Sequence, residues 1–98
     1  MKIIKNADGA KLVMEIEGRL DTTTAPELEK ELSTALDGVT DLVFDFKNLE
    51  YISSAGLRIL LGVQKNMSKK GTFVIRHVND TITEVFTVTG FNDILTIE

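Results

Sequence analysis

Tyr51-Ile52-Ser53-Ser54-Ala55-Gly56-Leu57-Arg58 lies between two runs of different period. Before it, Leu42-Val43-Phe44-Asp45-Phe46 has the short apolar pattern of a buried strand. After it, Leu57, Leu60, Leu61 and Val63 to Met67 recur at helical spacing. A strand that enters a helix through small residues leaves the first helical N–H groups without intrahelical partners. A hydroxyl of Ser53 or Ser54 is suited to accept from one of them. One serine is enough for a cap. The other, beside Ala55 and Gly56, is expected to stand exposed at the positive end of the helix dipole, where a phosphate meets free donors. On residue chemistry alone, both serines also fit as plain capping and turn residues.

Outward from this turn, the N-terminal half reads as a hairpin and then a helix. Ile3-Ile4 opens a strand, and Asn6-Ala7-Asp8-Gly9 carries an Asp-Gly turn signal. Leu12, Met14 and Ile16 alternate with Lys11, Val13, Glu15 and Glu17, the period of a strand with one face on a core. Gly18 to Thr24 is expected to be a polar connection, and Thr24-Ala25-Pro26-Glu27 reads as a capping box with Pro in the first turn. Leu28, Leu32, Ala35 and Leu36 form the apolar stripe of the first helix, which Gly38 is suited to end as its C′ residue. Asp41 to Phe46 then follows a helical crossover and is expected to run parallel to a neighbour.

On the C-terminal side, the second helix is expected from about Ser54 to Lys69, with Lys69 and Lys70 at its negative end and Gly71 as the stop. Thr72 to Arg76 reads as a strand. Thr81-Ile82-Thr83-Glu84 reads as a second capping box, opening a helix that ends near Gly90. Ile94 to Ile97 is expected to close the sheet. The order β-β-α-β-α-β-α-β makes an α/β fold, a mixed sheet of about five strands with about three helices mainly on one face.

The 98 residues are expected to form a single domain over 1–98. Absence of Cys excludes disulfides and thiolate metal sites, and no metal site is expected. No apolar run approaches the roughly 20 residues of a membrane span, and the first residues lack a signal-peptide pattern, so a cytoplasmic protein without membrane contact is expected. A net charge of -4 with scattered Lys and Arg argues against direct nucleic-acid binding.

Enzymatic readings find little support. A Gly-x-Ser-x-Gly elbow around Ser54 would need glycine where Ile52 stands. Ser53-Ser54-Ala55-Gly56 has neither the Gly-rich length nor the lysine of a P-loop. The lone His77 reads as a strand-end residue, and Asp21, Asp41 and Asp45 do not by themselves define a carboxylate pair.

Ser53-Ser54-Ala55-Gly56-Leu57 resembles the signature of the anti-sigma factor antagonists, the STAS family, in which Asp-Ser-(Ser/Thr/Ala)-Gly-Leu follows the central strand. The resemblance covers nearly the whole chain. It implies the STAS fold and a phosphorylatable binding module, not an enzyme and without a cofactor. It places the phosphorylated serine at Ser54 rather than Ser53, which stands where many members have aspartate. Gly18-Arg19-Leu20-Asp21 is similar to the family's Gly-x-Leu-Asp, whose acidic residue shapes the serine site and contacts the partner. The residue-level role of Asp21 is an Asx-type turn. The implied partner surface is Asp21, Thr22, Thr23, Ser53, Ser54, Ala55, Gly56 and Arg58. The implied partners are an anti-sigma factor with serine kinase activity and a serine phosphatase, and the module itself is expected as a monomer or weak dimer. Two alternatives stand beside this: a STAS-like module of a signalling assembly without a sigma factor, which keeps the fold, and, of a different class, a nucleotide or small-ligand-binding domain.

Overall fold

The alternation along Lys11–Leu20 sorts the molecule into layers. In the computed structural model, which describes residues 1–98, Leu12, Met14, Ile16 and Leu20 are buried while Val13, Glu15 and Glu17 on the opposite face are partly exposed. The first strand, β1 (Lys2–Asp8), pairs antiparallel with β2 (Lys11–Leu20) across the turn at Gly9-Ala10. The first helix, α1 (Ala25–Ala35), carries the chain back so that β3 (Asp41–Asp45) runs parallel to β2. The rest of the chain is β4 (Leu49–Ile52), α2 (Ser54–Met67), β5 (Thr72–Arg76), α3 (Asp80–Thr89), a 3-10 turn (Phe91–Asp93) and β6 (Thr96–Ile97).

The sheet has six strands in the order β1-β2-β3-β5-β6, with β4 paired to β2 beyond the end of β3. The expected mixed sheet is therefore present, with one strand more than the sequence indicated: Leu49–Ile52 forms β4. It was hidden because it is four residues long with exposed Glu50 inside it, too short for alternation to register. Pairing of β2 shifts at Gly18/Arg19, where Gly18 has φ 93, a conformation that favours glycine at a bulge. This shift lets β2 continue to Leu20, so Gly18 to Leu20 belongs to the strand and not to the polar connection.

One cluster of 24 buried residues joins Leu28 and Leu32 of α1, Leu57, Leu60 and Val63 of α2, and Ile82 and Phe86 of α3 to the same sheet face. Phe44 lies at its centre, edge-on to Phe73 at 4.9 Å. Two glycines allow close approach, Gly56 within this packing and the exposed Gly71 against the Thr40 backbone. A Cβ on Gly56 would stand 2.7 Å from Ile52 Cγ1 and 2.8 Å from Leu20 Cγ. On Gly71 it would meet the Thr40 carbonyl oxygen at 1.8 Å.

Helix ends depart from the expected signals. Thr24 occupies the N-cap of α1 without capping it; its hydroxyl instead donates to the Arg19 carbonyl at 2.8 Å. Asn79, and not Thr81, caps α3 by accepting from the Ile82 amide at 2.9 Å. Its Nδ2 also donates to the Leu49 carbonyl at 2.8 Å, so this cap reaches β4 as well. The second helix ends at Met67 rather than Lys69, and Lys70 donates to the Leu36 carbonyl at the end of α1 instead of its own helix. The α1 C-cap is Leu36, which places Gly38 one residue past C′. Ile94 and Leu95 precede β6, with Leu95 buried and Ile94 exposed. Gly90 ends α3 in the left-handed conformation, as expected.

Candidate functional site

The ends of β2 and β4 lie side by side. Leu20 pairs with Ile52, and the Ser53 amide donates to the Leu20 carbonyl at 2.9 Å, so the ladder runs into the serine turn itself. The loop after Leu20 is thereby held against the start of α2. A second tie lies one residue back: Arg19 pairs with Tyr51, with its guanidinium 4.4 Å from the ring centre, and its Nε lies 3.6 Å from Asp21 Oδ2.

Asp21 is a turn-former, as its sequence context indicated. Its Oδ1 accepts from the Thr23 amide at 3.0 Å and the Thr24 amide at 3.2 Å, while Thr24 Oγ1 accepts from the Asp21 amide at 2.9 Å. The Thr24 amide is the largest influence on its carboxyl; with Thr23 and Arg19 it outweighs lost hydration and holds the group below its ordinary value of 3.8. Asp21 stays ionised with one oxygen committed to the loop backbone. Thr22 and Thr23 project into solvent beside it.

The two serines are not equivalent. Ser53 is the N-cap residue of α2, yet its hydroxyl caps nothing: Oγ is buried and has no hydrogen-bond partner. Ser54 is the first helical residue and is exposed. The expected side-chain cap is therefore absent, and the Ser54, Ala55 and Gly56 amides find no acceptor in the protein. With no acidic residue in the first turn of α2, positive dipole density there is unopposed. Ala55 is half-buried, Gly56 is buried under Leu20 and Ile52, and Arg58 is exposed one turn further on.

From Arg58 an open groove of about 380 Å³ runs between α1 and α2, floored by Leu32, Leu36, Ile59 and Val63 and bordered by Glu29. Gly62 widens it, since nothing lies within 4 Å of where its Cβ would be. Sequence reading did not anticipate this groove or the Arg19–Tyr51 contact. The first depends on the spacing of two helices far apart in the chain, and the second on a β2–β4 register that was unknown while β4 was unrecognised.

The remaining candidates fall elsewhere. Asp41 accepts from the Thr72 hydroxyl at 3.1 Å, at the opposite end of β3 from Asp45. Asp45 accepts from the Lys47 amide at 3.0 Å and lies 2.9 Å from His77 Nδ1. Burial pushes the Asp45 carboxyl up, but these two bonds, with the Lys47 charge, win and hold it below 3.8. His77 follows β5 with φ 58 and makes no bond to either serine. No three His, Asp or Glu side chains converge as a metal-binding group. No helix is long and apolar enough to cross a membrane.

Comparison with known proteins places this arrangement. The family profile described as "Mlab, STAS domain" matches residues 3–96. BtrV of Bordetella bronchiseptica, assigned as an anti-sigma factor antagonist, is 33% identical over 99% of this chain and 85% of its own length. An anti-sigma-B factor antagonist of Staphylococcus aureus is 33% identical over 84% of this chain and 78% of its own. Among solved structures, the unphosphorylated anti-sigma factor antagonist SpoIIAA shares the fold with a TM-score of 0.76 at 20% identity, covering 99% of this chain and 87% of that one. The phosphorylated form of SpoIIAA, from Bacillus, gives 0.75 at the same identity, covering 99% and 91%. On its sequence match and its fold together, the chain belongs to the STAS domain family of anti-sigma factor antagonists.

Proposed function

We propose that the chain is a partner-switching module in the cytoplasm, controlling sigma-factor-dependent transcription. Unphosphorylated, it binds an anti-sigma factor with serine kinase activity through the Asp21 loop, the serine turn and the exposed start of α2. Phosphorylation of Ser54 ends that binding, and a serine phosphatase restores it. The observation that carries this reading is the asymmetry of the serines: Ser54 offers an exposed hydroxyl at a helix start with free amides, whereas Ser53 Oγ is buried. The relatives support it, being antagonists of anti-sigma factors, one of them solved with and without phosphate.

The kinase would transfer the γ-phosphoryl group of ATP, forming the Ser54 Oγ–P bond as the bond to ADP breaks, with the hydroxyl proton passing to the kinase's base. The new group brings about -1.5 to -2 charges and three acceptors. Free amides and the helix dipole accommodate it within the domain, so the fold persists. Against a partner surface fitted to a neutral serine, a desolvated dianion is costly, and each ~1.4 kcal/mol lost weakens affinity tenfold.

The test is incubation with ATP and candidate kinase anti-sigma factors from the same organism, with mass-spectrometric mapping and affinity measurement. Phosphate on Ser54 with weakened binding is expected. Ser54→Ala should bind and resist switching, while Ser54→Asp should bind poorly. Normal binding by Ser54→Asp together with loss of binding by Ser54→Ala would refute the charge switch.

A further inference from the structure

Resting on that reading, we propose that Arg58 senses the phosphate: free at the mouth of the α1/α2 groove in the unmodified protein, it turns back one helical turn to pair with phosphorylated Ser54. Ser54 and Arg58 are four residues apart in α2 and so lie one above the other on its surface. An anion four residues N-terminal to a cation is also the favourable order for such a pair, and the phosphate at the helix start complements the dipole.

Arg58 is the one arginine available for this. Arg19 is held by Asp21 and Tyr51, and Arg76 by Glu98. Arg58 makes no hydrogen bond, ion pair or aromatic contact, and Glu29 across the groove does not lie within ion-pair distance of it. No acidic side chain in the first turn of α2 competes for it. A guanidinium presents paired N–H donors that match phosphate oxygens, and its long stem spans one turn.

The consequence is a double change at one surface. Modification adds a dianion at Ser54 and at the same moment withdraws the cation that borders the groove. A partner carboxylate that met Arg58 would lose its counter-charge. The switch then acts beyond the footprint of the serine, along α2 towards Ile59 and Gly62.

The experiment uses the full chain with phosphoserine installed genetically at position 54, so that no kinase is needed. The second ionisation of the phosphate is followed by phosphorus NMR against pH in the parent, Arg58→Gln and Arg58→Lys. Loss of the guanidinium in Arg58→Gln should raise that pKa by about 0.3 to 1 unit, with lysine recovering part of the shift and salt shrinking it. Identical titrations in parent and Arg58→Gln would overturn the proposal, as would a shift unaffected by salt. The two variants together guard against a folding defect in either, since only the charge distinguishes their expected titrations. Failure of every kinase to modify Ser54 would count against the functional reading while leaving this measurement intact.

Discussion

The Ser53 amide donates to the Leu20 carbonyl at 2.9 Å, so the residue that begins the serine turn is also the last rung of the β2–β4 ladder. Its side chain takes no part, because Oγ is buried and unpaired. Ser53→Ala should therefore leave stability unchanged or raise it by up to about 1 kcal/mol, since an unsatisfied hydroxyl is removed. Urea unfolding measures this. A loss of about 1 kcal/mol or more would mean that the hydroxyl caps α2 in solution.

Three glycines should answer differently to one methyl group. Gly56→Ala forces a contact on Ile52 and Leu20, side chains able to give way, and should cost about 1–3 kcal/mol. Gly71→Ala drives a Cβ into the Thr40 backbone and should cost more than any value in that range of about 1–3 kcal/mol. Gly62→Ala meets open space inside α2 and should stabilise by about 0.5–1 kcal/mol. Denaturation midpoints rank the set, and a destabilised Gly62→Ala would contradict the open groove.

Asn79 ties two elements with one amide group, capping α3 through Oδ1 and bonding the Leu49 carbonyl through Nδ2. Asn79→Asp should keep the cap and lose only the second bond; Asn79→Ala loses both, at a cost of about 1–2 kcal/mol. Equal stability of the two variants would show that the cap adds nothing.

Asp45 makes stability depend on acid. Its folded carboxyl titrates below its ordinary value of 3.8, so its contribution is complete above that value and is lost as pH falls through the depressed one, where the unfolded chain already holds the proton. Melting temperature of the parent should therefore fall more steeply than that of Asp45→Asn between about pH 4 and pH 2. Parallel curves would remove Asp45 from the account.

Strand-helix alternation, the parallel crossover and the turn role of Asp21 could all be read from the chain, because each depends on neighbours within a few residues. What escaped reading was decided over longer range. Leu49–Ile52 becomes a strand because β3 stops pairing with β2 at Glu15 and leaves Gly18 to Leu20 free to take a second partner. Thr24 forgoes its cap because the Arg19 carbonyl, five residues back, takes its hydroxyl. Thr81 lost the cap to Asn79, which gains a bond to β4 that no local motif reveals. At the site, local chemistry treated the two serines alike; the β2–β4 pairing separates them.

That pairing makes the choice of which hydroxyl stands exposed a matter of counting. Side chains alternate along β4, so sliding Leu49–Ile52 by one residue against β2 would turn the next hydroxyl inward and the previous one out. A residue inserted between Asp45 and Leu49 can be absorbed by the Lys47-Asn48 bend. One inserted between Leu49 and Ser53 cannot, and it would bring a different hydroxyl to the surface while leaving both serines in place.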